Sequence, residues 1–130
     1  MILDKQLIFS EDQALPLDTT PGQSANVIDF GAADLDIGAG TPIFFNLFIT
    51  TVSDSDVNTL TVELRDGATA AAADPKLLFA AFVPNSTGLK IKCPLPSGVA
   101  RYLSVYYTMS AAPGVGEVTA GEVTAFLSLD

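Results

Sequence analysis

The chain has no histidine and no tryptophan, a single cysteine, and six basic residues against fifteen acidic ones. Each shortage closes a class of chemistry. Without imidazole there is no histidine general base, no Ser–His or Cys–His nucleophile pair, and no histidine-ligated zinc, copper or iron site. Cys93 alone can make neither an internal disulfide nor a tetrathiolate metal site, so cysteine usage leaves the redox compartment unmarked. A formal charge of -9 repels phosphate backbones and anionic lipid, which argues against direct nucleic-acid or membrane partners. Long apolar runs are missing too. The longest, Ile43 to Ile49, is interrupted by Asn46 and falls far short of the ~20 residues of a membrane helix. The opening Met1-Ile2-Leu3-Asp4-Lys5 lacks the basic region, apolar run and cleavage site of a secretory signal, so a soluble, unexported protein is expected.

What is present is enough apolar material for a core. The 130 residues are 48% hydrophobic and 16% charged, a composition that fills one domain, while eight prolines and ten glycines argue against long helices. One domain over 1–130 is expected, with residues 1–24 as a partly extended arm.

Alternation of apolar and polar residues is the main signal. In Thr59-Leu60-Thr61-Val62-Glu63-Leu64-Arg65 every even position is apolar, as a half-buried strand requires. Leu89-Lys90-Ile91-Lys92-Cys93 repeats the pattern and predicts Leu89, Ile91 and Cys93 inward until Pro94 ends the pairing. In Arg101 to Met109, Leu103, Val105, Tyr107 and Met109 share one face and Tyr102, Ser104, Tyr106 and Thr108 the other. The stretch from Ile43 to Val52 is nearly apolar on both sides, as in a central strand. Further strands are predicted over Ile2 to Phe9, Asn26 to Phe30 and Glu122 to Leu129.

Asp74-Pro75 has the form of a helix N-cap and first-turn proline, so Lys76 to Phe82 is either a short helix or a strand; at most one helical turn followed by a strand ending near Val83 is the favoured reading. Ala70 to Ala73 reads as a surface connection. Gly116-Glu117-Val118-Thr119-Ala120 is repeated at once as Gly121-Glu122-Val123-Thr124-Ala125, and the odd period requires either a bulge at Gly121 or a first copy that lies in the preceding loop. Short strands without helical crossovers predict an all-β antiparallel sandwich of jelly-roll type, with at most one short helix.

The candidate chemistry is thin. Asp54-Ser55-Asp56-Val57-Asn58 starts like a calcium loop, but Thr59 stands where the glycine is needed and Arg65 where a bidentate glutamate should be. Asp29, Asp34 and Asp36 form a second acidic group with no liganding pattern. Carboxylate pairs could in principle hydrolyse glycosides, yet nothing selects a pair. The glycines at 38 and 40, and at 114, 116 and 121, match neither a dinucleotide fingerprint nor a phosphate loop. Catalytic, cofactor-binding and metal residues are therefore expected to be absent. What remains is surface: Phe44 and Phe48 lie opposite Phe45 and Leu47, and Tyr102 and Tyr106 opposite Leu103 and Val105. Such rings either shield the fold or meet another subunit.

Several segments together carry a resemblance: Leu7-Ile8-Phe9-Ser10 with Gln13; Ser24-Ala25-Asn26-Val27-Ile28-Asp29-Phe30-Gly31; Asp36-Ile37-Gly38-Ala39-Gly40-Thr41-Pro42; Thr59 to Leu64; Leu95-Pro96-Ser97-Gly98 with Arg101-Tyr102-Leu103; and Gly121 to Ala125. In this pattern the chain resembles the jelly-roll capsid cement, or decoration, proteins of short-tailed bacteriophages. The resemblance implies a non-enzymatic virion protein, made in the host bacterial cytoplasm, that binds the outer capsid surface and bridges neighbouring major capsid proteins. The expected partners are the major capsid protein and a second copy of the chain, as a symmetric dimer with a trimer next. The candidate contact residues are Ile2, Leu3, Leu7 and Phe9 with the outward aromatics Phe44, Phe48, Tyr102 and Tyr106. The alternative is a carbohydrate-binding, lectin-like or adhesin-like sandwich, which a glycan array and a calcium titration would separate.

Overall fold

A computed structural model of the chain describes residues 7–15, 22–31, 43–53, 58–96, 98–110 and 121–128. These carry nine strands: β1 (Ile8–Ala14), β2 (Gly22–Gln23), β3 (Ile28–Asp29), β4 (Phe44–Thr51), β5 (Leu60–Gly67), β6 (Asp74–Leu78), β7 (Gly88–Pro94), β8 (Tyr102–Met109) and β9 (Glu122–Ser128). One sheet, here sheet A, has the order β1-β9-β4-β7. Sheet B has the order β2-β8-β5-β6, with β3 pairing β8 beside β2. Every pairing is antiparallel.

Because β2 and β3 both pair β8, they act as one interrupted strand. The pairs then nest: β1 with β9, β2 and β3 with β8, β4 with β7, β5 with β6. That is a long hairpin rolled on itself, closed by β9 on β4 and β8 on β5, and it is the jelly-roll solution to an eight-strand sandwich.

The core follows from period-2 alternation on both inner faces. Leu60, Val62 and Leu64 of β5 and Leu103, Val105 and Tyr107 of β8 are fully buried against Phe45, Leu47 and Ile49 of β4 and Val123, Ala125 and Leu127 of β9. Each such aliphatic or aromatic side chain contributes about 1.5–3 kcal/mol by leaving water. Phe45 sits at the centre, edge-on to Phe9 at 5.9 Å and stacked on Phe79 at 5.5 Å. One polar pair lies inside: the hydroxyls of Tyr107 and Ser10 hydrogen-bond at 2.8 Å, and burial pushes the Tyr107 phenol well above its usual range.

Four expectations need correction. The strand reading of the Asp74-Pro75 segment holds, but β6 ends at Leu78 and not near Val83; β6 is the edge of sheet B, where a proline without an N–H is tolerated. The first strand runs from Ile8 to Ala14, so it extends well past Phe9. Two register shifts and a left-handed Asp12 (φ 48°) erase its alternation. Asn26 to Phe30 holds only the two-residue β3. Leu89 points outward and is 48% exposed, because a bulge between Leu47 and Phe48 leaves Lys90 as an extra residue and flips the strand's faces beyond it, whereas Ile91 and Cys93 pack inward. Residues 116–120, Asp34, Asp36 and Asp54 to Val57 lie outside the described residues.

Candidate contact surfaces

The outer face of sheet A carries an apolar row that crosses all four strands. Leu89 of β7 is opposite Phe48 of β4, Phe48 stacks on Phe126 of β9 at 5.8 Å, and Phe126 is opposite Ile8 of β1. Phe126 is 3% exposed yet stands apart from the inner core cluster, so its burial occurs on the outer side of the sheet. Phe44 continues this face, with the Lys92 ammonium 5.4 Å from its ring centre. Polar side chains share this face: Thr124 is opposite Phe48, and Asn46 and Ser128 are joined by a 2.8 Å bond from the Asn46 amide to the Ser128 hydroxyl.

The outer face of sheet B is organised differently. The Arg65 guanidinium lies 4.2 Å over the Tyr106 ring and pairs with Glu63. Tyr106 donates its hydroxyl proton to the Ala71 carbonyl at 2.6 Å, Ser104 donates to Ala72, and the Gln23 amide donates to Ala70 and Ala71. The alanine connection is thus strapped across the sheet, with Ala72 buried and at a left-handed φ of 41°. Arg101 lies 5.0 Å over Tyr102 and holds Asp29 through two hydrogen bonds, at 2.8 and 3.1 Å. That guanidinium, with the Gly31 N–H, keeps the Asp29 carboxyl below its ordinary range, and Asp29 raises Arg101 in return. Tyr102 and Tyr106 therefore have partners inside the chain.

The sequence-derived contact residues separate accordingly. Phe44 and Phe48 lie half-buried on sheet A, Tyr102 and Tyr106 half-buried on sheet B, so the two pairs cannot share one patch. Phe9 is fully buried between the sheets, where its side chain can touch no partner, and leaves the contact set. Leu7 is half-buried against the core. Ile2 and Leu3 lie outside the described residues, as does much of the arm; its segment from Ile8 to Ala14 is strand β1.

The Bbp16 family model matches residues 9–127, from Phe9 in β1 to Leu127 in β9, which spans the rolled sandwich and both of its outer faces. The chain belongs to the Bbp16 family. No curated protein matches it.

Within the described part of this Bbp16 member no group of three or more potential metal ligands comes together. Sequence reasoning missed Phe126, Ile8 and Leu89. Phe126 follows Ala125 and precedes Leu127 in an apolar run, so its outward position was legible from alternation. Leu89 was not, because the bulge that turns it outward has no local sequence mark.

Proposed function

We propose that the protein is a non-enzymatic structural virion protein that binds the outer surface of a capsid and cements neighbouring major capsid proteins. The observation that carries this reading is the apolar row on the outer side of sheet A, where exposed Leu89 and half-buried Phe48 and Ile8 sit beside the buried Phe126. Apolar side chains left partly open next to one another mark a protein contact, and aromatic residues are enriched at such contacts. The rolled antiparallel framework supplies rigidity without a cofactor, and the resemblance to cement proteins supplies the class of partner. A homodimer that grips two lattice positions would raise retention through effective concentration, without tight single contacts.

The test mixes the purified protein with undecorated shells and measures co-sedimentation and the temperature at which shells rupture. The parent should co-sediment and raise that temperature. Leu89→Asp, placed on an exposed position opposite Phe48, should reduce occupancy while its own melting temperature stays unchanged. Equal decoration by parent and variant would remove the sheet A assignment, and no binding by the parent would remove the cement reading.

A further inference from the structure

We propose that the free edge of β7 is a strand-addition site for an extended segment of a second protein, aliphatic on one side and acidic on the other. This goes beyond the cement reading and stands whatever the partner is.

The edge is open. β7 ends sheet A, and among the described residues no hydrogen bond joins it to residues 79–83, which face it across a groove of about 640 Å³. That groove is lined by consecutive residues on both sides, Phe79 to Val83 and Lys90 to Cys93. Consecutive residues of a strand line a groove only when it runs along the strand's edge rather than over one face. The phase of the ladder is set by Leu95, whose N–H donates to the Ile43 carbonyl at 2.7 Å. By alternation Cys93 and Ile91 then turn their backbone groups to β4, and Lys92 turns its N–H and C=O to the open side. Pro94, one step of the alternation away, needs no N–H there and presents only a carbonyl. An added strand would find this backbone and would seat alternate side chains beside Phe79, Phe82 and Ile91.

Charge selects the occupant. The chain carries -9 overall, yet this edge is basic. Of the described cations, Arg65, Lys76 and Arg101 each have a carboxylate partner. Lys90 and Lys92 have none: Lys90 donates to the Ser86 hydroxyl and Lys92 lies over Phe44. A second copy pairing through the same strand would set lysine against lysine, the arrangement that keeps sheet edges from self-association. An acidic strand meets complementary charge instead.

Cys93 lines the groove and is the chain's single cysteine, which makes it a reporter. The experiment measures N-ethylmaleimide alkylation of Cys93 in the full chain, with a peptide of about six residues that alternates valine and glutamate, roughly one strand in length. Its counterpart has lysine in place of glutamate. The acidic peptide should slow alkylation severalfold and the lysine peptide should not. Lys92→Pro should melt like the parent, since no ladder bond is lost, and lose the protection. The Lys90→Glu, Lys92→Glu double variant, which keeps the backbone intact, should weaken the acidic peptide by about tenfold or more. The proposal is overturned by no protection from either peptide, by equal protection from both, by protection that survives both sets of substitutions, or by alkylation that slows with protein concentration alone, which would assign the edge to a second copy.

Discussion

Where β1 of sheet A meets β2 and β3 of sheet B, the edges are tied by side chains: the Gln13 carboxamide accepts from Ser10 and from the Ala25 N–H and donates to the Gln23 carbonyl, while Asn26 donates to Ile8 and its own N–H bonds to Phe9. On the opposite side, β7 and residues 79–83 face each other across the groove with no such clasp among the described residues, and lysines stand where the carboxamides are on the first side. Both seams have unpaired backbone to satisfy. One satisfies it internally and so closes the roll; the other leaves it to water, or to a visiting strand. The comparison teaches that the same sandwich can be sealed along one edge and receptive along the other through the placement of a few polar side chains.

Phe45 joins the two seams, since it touches Phe9 from the closed side and Phe79 from the open side. Phe45→Ala should therefore loosen both, at a cost of about 3–5 kcal/mol in urea unfolding, the largest effect expected here. Gly121 belongs to the closed seam's end: at a φ of 133°, an added Cβ would meet Cδ1 of Leu15, the residue just after β1, at 2.7 Å. Gly121→Val should cost about 2–4 kcal/mol from backbone strain and overpacking, read as a lowered urea midpoint.

Gln13→Ala should remove about 1–3 kcal/mol by unpairing the clasp, whereas Lys92→Gln on the open seam should change stability by less than about 0.5 kcal/mol. Equal losses at the two positions would dissolve the distinction between sealed and open edges.

The smallest effect concerns Asp29, held by Arg101 beside β3. Its carboxyl is depressed in the fold, so its contribution is present above the unfolded value near about 3.9 and lost as pH falls through the folded value. Asp29→Asn should flatten that part of the acid limb in urea midpoints measured from neutral pH downward. An unchanged acid limb would show that the pair adds nothing to the closed side.

Much of sheet B was legible. Leu60, Val62 and Leu64 and Leu103, Val105, Tyr107 and Met109 alternate without interruption, and each is buried where the alternation puts it. The central place of β4 followed from Phe44 to Ile49 being apolar on both faces, and it lies between β9 and β7. Strand β1 was half hidden, because Ser10-Glu11-Asp12-Gln13 looks like a loop until its polar groups are seen tying the seam. The contact surface was legible only in part. Phe44 and Phe48 were marked by their apolar surplus, but Tyr102 and Tyr106 carry the same mark and are engaged within the chain, Tyr102 by the adjacent Arg101 and Tyr106 by Arg65 and the alanine connection, which are far from it in sequence.

The amino-acid order by itself determined that this is an all-β chain with an apolar interior and no imidazole chemistry, because side-chain period and residue inventory are local properties. Tertiary structure decided which outward rings are satisfied, which way Leu89 points and which edge stays open. Those outcomes depend on strand register and on partners far apart along the chain, and one extra residue at Lys90 is enough to reverse a face.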